Sequence, residues 1–443
     1  MDELASESDP GSRGDAQRGG EDARRRGRDR LLRVLLVLVL APCYARGLAS
    51  DAIGFADETY WTAHGWKAAQ LLFVRHDLTH AFWTFGRNAK VLSETELPFF
   101  LMPPTRVPKL GLILIGTSVL LLDAPEPRPR PYDYFRSVAW NREHGRLPTL
   151  ATLMAARLPS AILGIVGAVF LYALLRGLLP PGWAFAGALL FALNPLVYWF
   201  SRLATTDVIA NSFAIGAILF AIRACEREGR WAPMLLTGVL VCAAVSSKLN
   251  TGILAPVLGA AFLIEAWLRR MPGLLLRAAI SAALAAVLFV GLNPTLYRDP
   301  LGGVLSMLRV GSEFGELRLL SPIVLLDSVS SRIQAAHEVL LGSFGMLASH
   351  LGAPADHVLL PLGLGLLAWR ARTLPAARVV LLWLVAALAA VSLWTPMRFE
   401  RYYLPAVAPI VAAECLALAL LLGVAVRGGS RALRALGGAR ERG

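Results

Sequence analysis

The chain has 443 residues, of which 56% are hydrophobic and only 17% charged, and its mean hydropathy is +0.55. A soluble globule of this length needs more polar surface, so composition excludes one and points to a polytopic membrane protein. The formal charge of +13 does not indicate a nucleic-acid partner, because the arginines fall in short clusters between apolar runs and not along one face.

Residues 1–30 are polar, rich in glycine and arginine and nearly balanced in charge, which reads as a disordered cytoplasmic tail. RRRGRDRLLR then adjoins a first apolar run from about Leu31 to Ala49. Small residues after that run leave a cleaved signal peptide open, and LAPC around Cys43 faintly resembles a lipoprotein site. Pro42 spoils the lipoprotein match, and the long polar lead favours an uncleaved signal anchor. FADETYWTA follows where the run leaves the membrane, with Asp57 and Glu58 side by side. A carboxylate within hydrocarbon costs about 2.5 to 3.5 kcal/mol on insertion scales, so acids gather at span mouths or wet cavities, usually for function.

A bilayer core of about 30 Å needs roughly 20 helical residues. On that ruler about ten spans begin near Leu31, Arg157, Trp183, Val208, Ala232, Thr251, Gly273, Val358, Arg378 and Pro405. The expected fold is therefore an all-α polytopic membrane protein. Its membrane domain covers 31–426, with a first extracytoplasmic loop at 51–156, a later one at 293–357 and a basic cytoplasmic tail at 427–443. The run from Val107 to Asp123, about 17 apolar residues, is marginal for a span and is read as an interfacial or re-entrant helix in the first loop. Crossing would make eleven spans and put Asp207 on the opposite face from Asp57. Not crossing leaves the arginine-rich stretch PEPRPRPYDYFRSVAWNREHGR outside.

Arginine placement sets the orientation. RRRGRDR, Arg176, the Arg223, Arg227 and Arg230 group, Arg269 with Arg270, the Arg370 to Arg378 turn and the tail from Arg427 are expected in the cytoplasm, with both termini. The opposite face then receives Asp57, Glu58, SRLATTD, SSKLNT, the segment from Asn293 to about His357 and RFERYYLP. No internal repeat is visible, so an inverted-repeat transporter gains no support. Cys43, Cys225, Cys242 and Cys415 have no metal or redox spacing and read as small buried hydrophobes.

Each charged candidate has a structural alternative. Asp57 and Glu58 in the first loop, like Asp207 before the run from Val208, suit helix capping. Arg401, Tyr402 and Tyr403 suit an interfacial anchor belt, and Lys248, one of four lysines in the chain, suits a snorkelling span end. His76 and His80 have an i, i+4 spacing that zinc tolerates, but no third ligand stands at close spacing, so solvated loop histidines are the simpler reading. Trp61, Trp66 and Trp83 fit an interface better than a sugar platform.

Taken together, FADETYWTA, RLPSAILGIVGAVFLYALL, NPLVYWFSRLATTDVIANSF, SSKLNTGILA and RFERYYLPAVAP resemble, in order and spacing, the GT-C glycosyltransferases of the protein O-mannosyltransferase and aminoarabinose-transferase type. The resemblance covers roughly Asp51 to Val426. It implies transfer of a monosaccharide, with inversion, from a polyprenyl-phosphate donor to an extracytoplasmic acceptor, from a multi-pass protein of a bacterial inner or plasma membrane. It places the catalytic carboxylate on Asp57, with Glu58 beside it, and the second functional acid on Asp207. The lysine turn falls on Lys248, and the late arginine-tyrosine motif on Arg401, Tyr402 and Tyr403. MPPTRVPKLG resembles a His-Pro-Pro element with Met102 in the histidine's place, so a divalent metal stays unassigned. That departure keeps a catalytically inactive paralogue open, beside a transporter or flippase of lipid-linked sugars. The chemistry itself needs a base for the acceptor and cations for the phosphate leaving group. Arg202, Lys248, Arg298, Arg398 and Arg401 fall on the expected catalytic face, where arginine offers a planar fork and lysine a point charge.

Overall fold

A computed structural model describes residues 10–49, 57–83, 107–127, 136–226, 229–316, 326, 328–351, 354–395 and 398–440. Regular structure is helical throughout, with no strand among the described residues. The main helices are α1 (Pro10–Leu48), α2 (Asp57–Ala69), α3 (Leu110–Leu121), α4 (Leu150–Leu175), α5 (Pro181–Leu193), α6 (Thr206–Glu226) and α7 (Trp231–Ser247). After them come α8 (Leu254–Arg269), α9 (Pro272–Leu292), α10 (Pro300–Glu316), α11 (Val329–His337), α12 (Asp356–Arg370), α13 (Pro375–Leu393) and α14 (Leu404–Arg440). α1 and α14 each extend beyond the expected span, α1 into the stretch read as a tail and α14 into the basic C-terminal segment.

Seven helical segments among the described residues are long and apolar enough to cross a membrane. They are Arg26–Leu48 of α1, α4, α6, Leu249–Arg269 around α8, α9, α13 and Leu404–Val426 of α14. The protein is an integral membrane protein. Each of the ten expected spans is a helix, but three fall short of that length: α5 with 13 residues, α7 with 17 and α12 with 15. α5 is short because Asn194, which precedes a proline, leaves the helical region at ψ 128. The Asn194 side chain then accepts the Leu196 N–H at 3.1 Å and starts a second piece, Pro195–Phe200. Proline at the first turn opens α5, α9 and α13, where a missing N–H costs no helical bond.

Contacts between α1 and α4 settle the course of the first loop. At one end the Leu48 carbonyl accepts from Arg157 Nη1 at 3.1 Å. At the other, Asp29 accepts from Tyr172 Oη at 2.8 Å and Arg176 Nε at 2.9 Å. The two helices are thus antiparallel, and the chain between Leu48 and Leu150 leaves and re-enters at the same end of the bundle. Within that stretch α3 spans about 18 Å at 1.5 Å per residue, too short to cross. Its first turn touches the ends of α6, α7 and α9, while Pro125 just beyond its last turn accepts from Thr152 in the first turn of α4 at 2.7 Å. α3 therefore lies across one end of the bundle as the expected juxtamembrane helix. α2 crosses it where Gly65 and Gly116 meet backbone to backbone, and a Cβ at 116 would fall 1.8 Å from the Gly65 carbonyl oxygen.

α6 is the central span. Its apolar window is 83% buried, against 11% for α9, which is left for lipid to cover. Arginine ties hold the end of the bundle opposite α3: Arg370 Nη1 donates to Leu178 O at 2.7 Å, Arg269 Nη1 to Cys225 O at 2.8 Å, and Arg378 forks onto Glu265. Cys225, Cys242 and Cys415 are buried as expected, with Cys43 half-buried.

Candidate active site

The end of the bundle covered by α2 and α3 collects the residues singled out by sequence. α2 begins at Asp57, and the next residue is tied on both oxygens: Glu58 is completely buried and accepts a fork from Arg157, with Nε to Oε1 at 2.8 Å and Nη2 to Oε2 at 2.9 Å. Oε1 also accepts the Ala204 N–H at 2.9 Å, and Arg157 spends Nη1 on Leu48 O. One ion pair therefore joins the first turn of α2 to the end of α1, to α4 and to the turn entering α6. Both Glu58 oxygens are engaged, so this carboxylate acts as an anchor beside Asp57 and is not open to a substrate. The Asp57 side chain lies outside the described residues, as does Met102. Its backbone, however, is placed within one residue of the Glu58 anchor and hence near the turn that leads to Asp207.

Asp207 occupies the first turn of the central helix, where an acid favours the positive end of the helix dipole. Its side chain is 2% exposed. Oδ1 pairs with Lys248 Nζ, and Oδ2 is buried without a hydrogen-bond partner among the described residues. Lys248 reaches it because α7 ends there in extended backbone, φ −156 and ψ 124, which turns the side chain across the helix tips. The Lys248 ammonium also lies 5.5 Å from the centre of the Tyr402 ring. Arg401 places its guanidinium 5.5 Å from that same ring and 5.5 Å from Phe399. Two cations thus flank one aromatic ring beside one carboxylate. Cations over ring faces keep their charge while losing some water, which strengthens their pull on an anion.

Asp207, Lys248, Arg401 and Tyr402 are therefore brought together. Arg202 and Arg398 stand at the same end but have other partners. Arg202 stacks over Tyr198 at 3.8 Å and donates from Nε to the Tyr198 carbonyl at 3.2 Å, in a space that exists because residue 47 is glycine. Arg398 pairs with Glu338 at 2.5 Å. Gln334 and Arg398 together hold the Glu338 carboxyl below the usual carboxylate range. Arg298 is exposed. His76 and His80 do not form a helical pair: His76 has φ 51, and His80 uses Nδ1 to accept the Phe82 N–H at 3.0 Å. Trp61 and Trp83 are buried in packing, and Trp66 is half-buried.

Two residues outside the expected set shape this end. Lys109, just before α3, is fully buried; its Nζ donates to Val107 O at 2.7 Å and its N–H to Asn293 Oδ1 at 2.8 Å. Burial away from water pushes the Lys109 ammonium down to about 7. Burial, with Lys109 close by, pushes His64 down to about 3. Asn293 in turn donates to Ser246 Oγ at 3.2 Å, so α3, α7 and α9 meet around it. Arg157 is the other. Its signal was an arginine followed by nearly twenty residues without another charge, as expected of an intramembrane ion-pair partner. Among the described residues no three His, Cys, Asp or Glu side chains converge as a metal cage.

Residues 149–293, roughly a third of the chain, match the family model described as dolichyl-phosphate-mannose-protein mannosyltransferase. The matched stretch contains Arg157, Asp207 and Lys248. Among solved structures, ArnT from Cupriavidus metallidurans bound to undecaprenyl phosphate is similar, with a TM-score of 0.57 and 15% identity over 87% of this chain and 59% of that one. The apo oligosaccharyltransferase of Archaeoglobus fulgidus gives a TM-score of 0.56 and 14% identity, over 90% of this chain and 52% of that one. The chain has the GT-C fold. That is the fold which the resemblance of the sequence motifs implied. AglB from Archaeoglobus fulgidus, in complex with an inhibitory peptide and a dolichol-phosphate, is similar at a TM-score of 0.50 and 15% identity, over 90% of this chain and 52% of that one. The chain thus spans between half and three-fifths of the length of these structures. A search among curated proteins finds no match.

Proposed function

We propose that this protein is a membrane glycosyltransferase that moves a monosaccharide from a polyprenyl-phosphate donor to an acceptor hydroxyl or amine outside the cytoplasm. The observation that carries this reading is the meeting of Asp207, Lys248, Tyr402 and Arg401 at the tip of the central helix, beside the start of α2. A lipid-linked sugar reaches a membrane protein with its phosphate at headgroup depth, and an end of the bundle lined by cations is where that phosphate would be held. The lipid phosphates bound by ArnT and AglB point to the same donor class.

In the proposed step Asp57 takes the proton of the acceptor as its heteroatom attacks the anomeric carbon. The bond from that carbon to the phosphate oxygen breaks, and the polyprenyl phosphate leaves with the electron pair. Arg401 and Lys248 stabilise the negative charge that grows on the leaving phosphate. Asp207 keeps the Lys248 ammonium in place. Glu58 and Arg157 hold the α2 tip against α4 and the turn at Ala204, which fixes where Asp57 can reach. The test is incubation of the purified protein with radiolabelled polyprenyl-phosphate sugars and membrane extract. Label on a new acceptor supports the transferase, whereas movement of unaltered donor across vesicle membranes supports a flippase.

Arg401→Ala is expected to weaken donor binding about 10- to 150-fold, since a charge-assisted contact contributes roughly 1.5 to 3 kcal/mol. Arg401→Lys recovers only part of this, because a point charge does not reproduce the fork. Titration of each variant with the lipid donor reads the effect, and an unchanged affinity would return Arg401 to the aromatic belt.

The reading also needs the α2 and α3 end to face outward, with the arginine-tied end in the cytoplasm. Single cysteines at the exposed positions Asn250, Asp299 and Glu400, in a background without native cysteines, should then react with an impermeant maleimide on intact cells. Cysteines at Gly229 and Thr373 should react only after permeabilisation. The opposite labelling pattern would place the site in the cytoplasm.

A further inference from the structure

The junction between α11 and α12 carries a pair of histidines that the proposed transfer step does not use. α11 ends at His337, α12 begins at Asp356, and the His337 and His357 rings meet Nε2 to Nε2 at 3.0 Å. Both side chains are exposed. The rings are not stacked: their centres are 4.9 Å apart and their planes cross at 64°, so the nitrogens and not the ring faces meet. His357 Nδ1 lies 3.3 Å from the Pro354 carbonyl oxygen. A carbonyl only accepts, so Nδ1 carries the proton and Nε2 turns its lone pair toward His337. A ring N–H held by a backbone carbonyl is the arrangement that orients metal-bound histidines.

Two imidazole nitrogens on one tetrahedral zinc ion, each about 2.0 to 2.1 Å from it, stand roughly 3.3 Å apart. The observed pair needs to open by only a few tenths of an ångström to reach that separation. We propose that His337 and His357 form a two-histidine binding site for a divalent transition-metal ion of the zinc class. To admit the ion, the single ring proton of neutral His337 moves from Nε2 to Nδ1, so that both Nε2 lone pairs face the metal and no proton is lost. Because no third His, Cys, Asp or Glu among the described residues completes a cage, water fills the remaining positions. Imidazole nitrogen selects zinc, nickel or copper over magnesium or calcium, which prefer oxygen.

A bound ion would join the last turn of α11 to the first turn of α12 and so close the segment between them. Glu338, the next residue after His337, holds Arg398. The ion would therefore steady the Glu338–Arg398 pair at the rim of the candidate active site. The site itself is independent of the transferase reading, since it rests on the two imidazoles alone.

The experiment is a titration of metal-free, full-length protein in detergent with Zn2+ against a chromophoric zinc indicator, and separately with Mg2+. Wild type is expected to take one Zn2+ per chain and to ignore Mg2+. His337→Ala and His357→Ala should each lower the zinc affinity at least about tenfold, since even outer-shell partners contribute 10- to 100-fold. A His76→Ala/His80→Ala double variant should bind as wild type. Absence of stoichiometric zinc binding in wild type, or binding that survives both single substitutions, would overturn the proposal. If the variants fail to fold, the wild-type comparison decides: Mg2+ competing on equal terms with Zn2+ also overturns it.

Discussion

Asp57→Asn is expected to lower sugar transfer by about 100- to 10,000-fold, the range that a positioned general base and its alignment contribute. The asparagine keeps the size of the side chain and its hydrogen-bonding reach but cannot take a proton, so donor binding should change little. Nearby Glu58 offers no rescue. Its two oxygens are already committed to Arg157 and the Ala204 N–H, and freeing them would break the tie that holds α2. Turnover of lipid-phosphate sugar by Asp57→Asn, measured beside donor affinity, separates the base from a mere helix cap. A cap lost to asparagine costs almost nothing, because asparagine caps as well as aspartate. Retention of more than half of wild-type turnover would move the base elsewhere, and Asp207, with one buried oxygen lacking a hydrogen-bond partner among the described residues, is the residue it would move to.

The helical membrane fold was legible because apolar length is a strong signal in a bilayer, where backbone polar groups must be satisfied within each segment. The course of the first loop was legible in part. The run from Val107 to Asp123 read as marginal by length, and the antiparallel contact of α1 with α4 is what excludes its crossing. The break inside the third expected span was carried by Asn194-Pro195, a local signal that a count of apolar residues passes over. The meeting of Asp207 with Lys248 and of Lys248 with Tyr402 joins residues 41 and 154 positions apart, and only their common end of the bundle was visible in advance. Glu58 was the least legible. Beside Asp57 it looked like a second catalytic acid, because sequence shows neighbours along the chain and not the direction of each side chain around a helix. Adjacent helical residues point about 100° apart, so one of an acidic pair can serve packing while the other faces elsewhere. Arg157 was hidden for the converse reason: it marked the expected start of a span, yet lies two turns inside α4, which begins at Leu150.

That ion pair carries the second large prediction, a loss of stability. The two side chains are 1% and 0% exposed, so solvent does little to screen them. Removing one member leaves the other as an uncompensated buried charge, which costs about 3 to 5 kcal/mol. Glu58→Ala and Arg157→Ala are each expected to unfold at clearly lower temperature or denaturant than wild type in detergent, and to accumulate poorly in membranes. Arg157→Lys keeps the charge but loses the fork onto both oxygens and the reach to Leu48, so it should fall between wild type and Arg157→Ala. The Glu58→Met/Arg157→Met double variant is the informative comparison, since replacing a buried pair by apolar residues of similar volume is often neutral. It should be more stable than either single alanine variant, short of wild type because the Ala204 N–H and the Leu48 carbonyl lose their partners at about 1 to 3 kcal/mol for each buried group left unmade. Its transfer activity should nevertheless remain low, because the α2 tip that carries Asp57 is no longer tied to α4 and to the turn before Asp207. Single-variant losses that simply add in a Glu58→Ala/Arg157→Ala double variant would show that the two side chains do not act as one unit. A stable double methionine variant with full transfer activity would show that the pair serves folding alone and does not position Asp57.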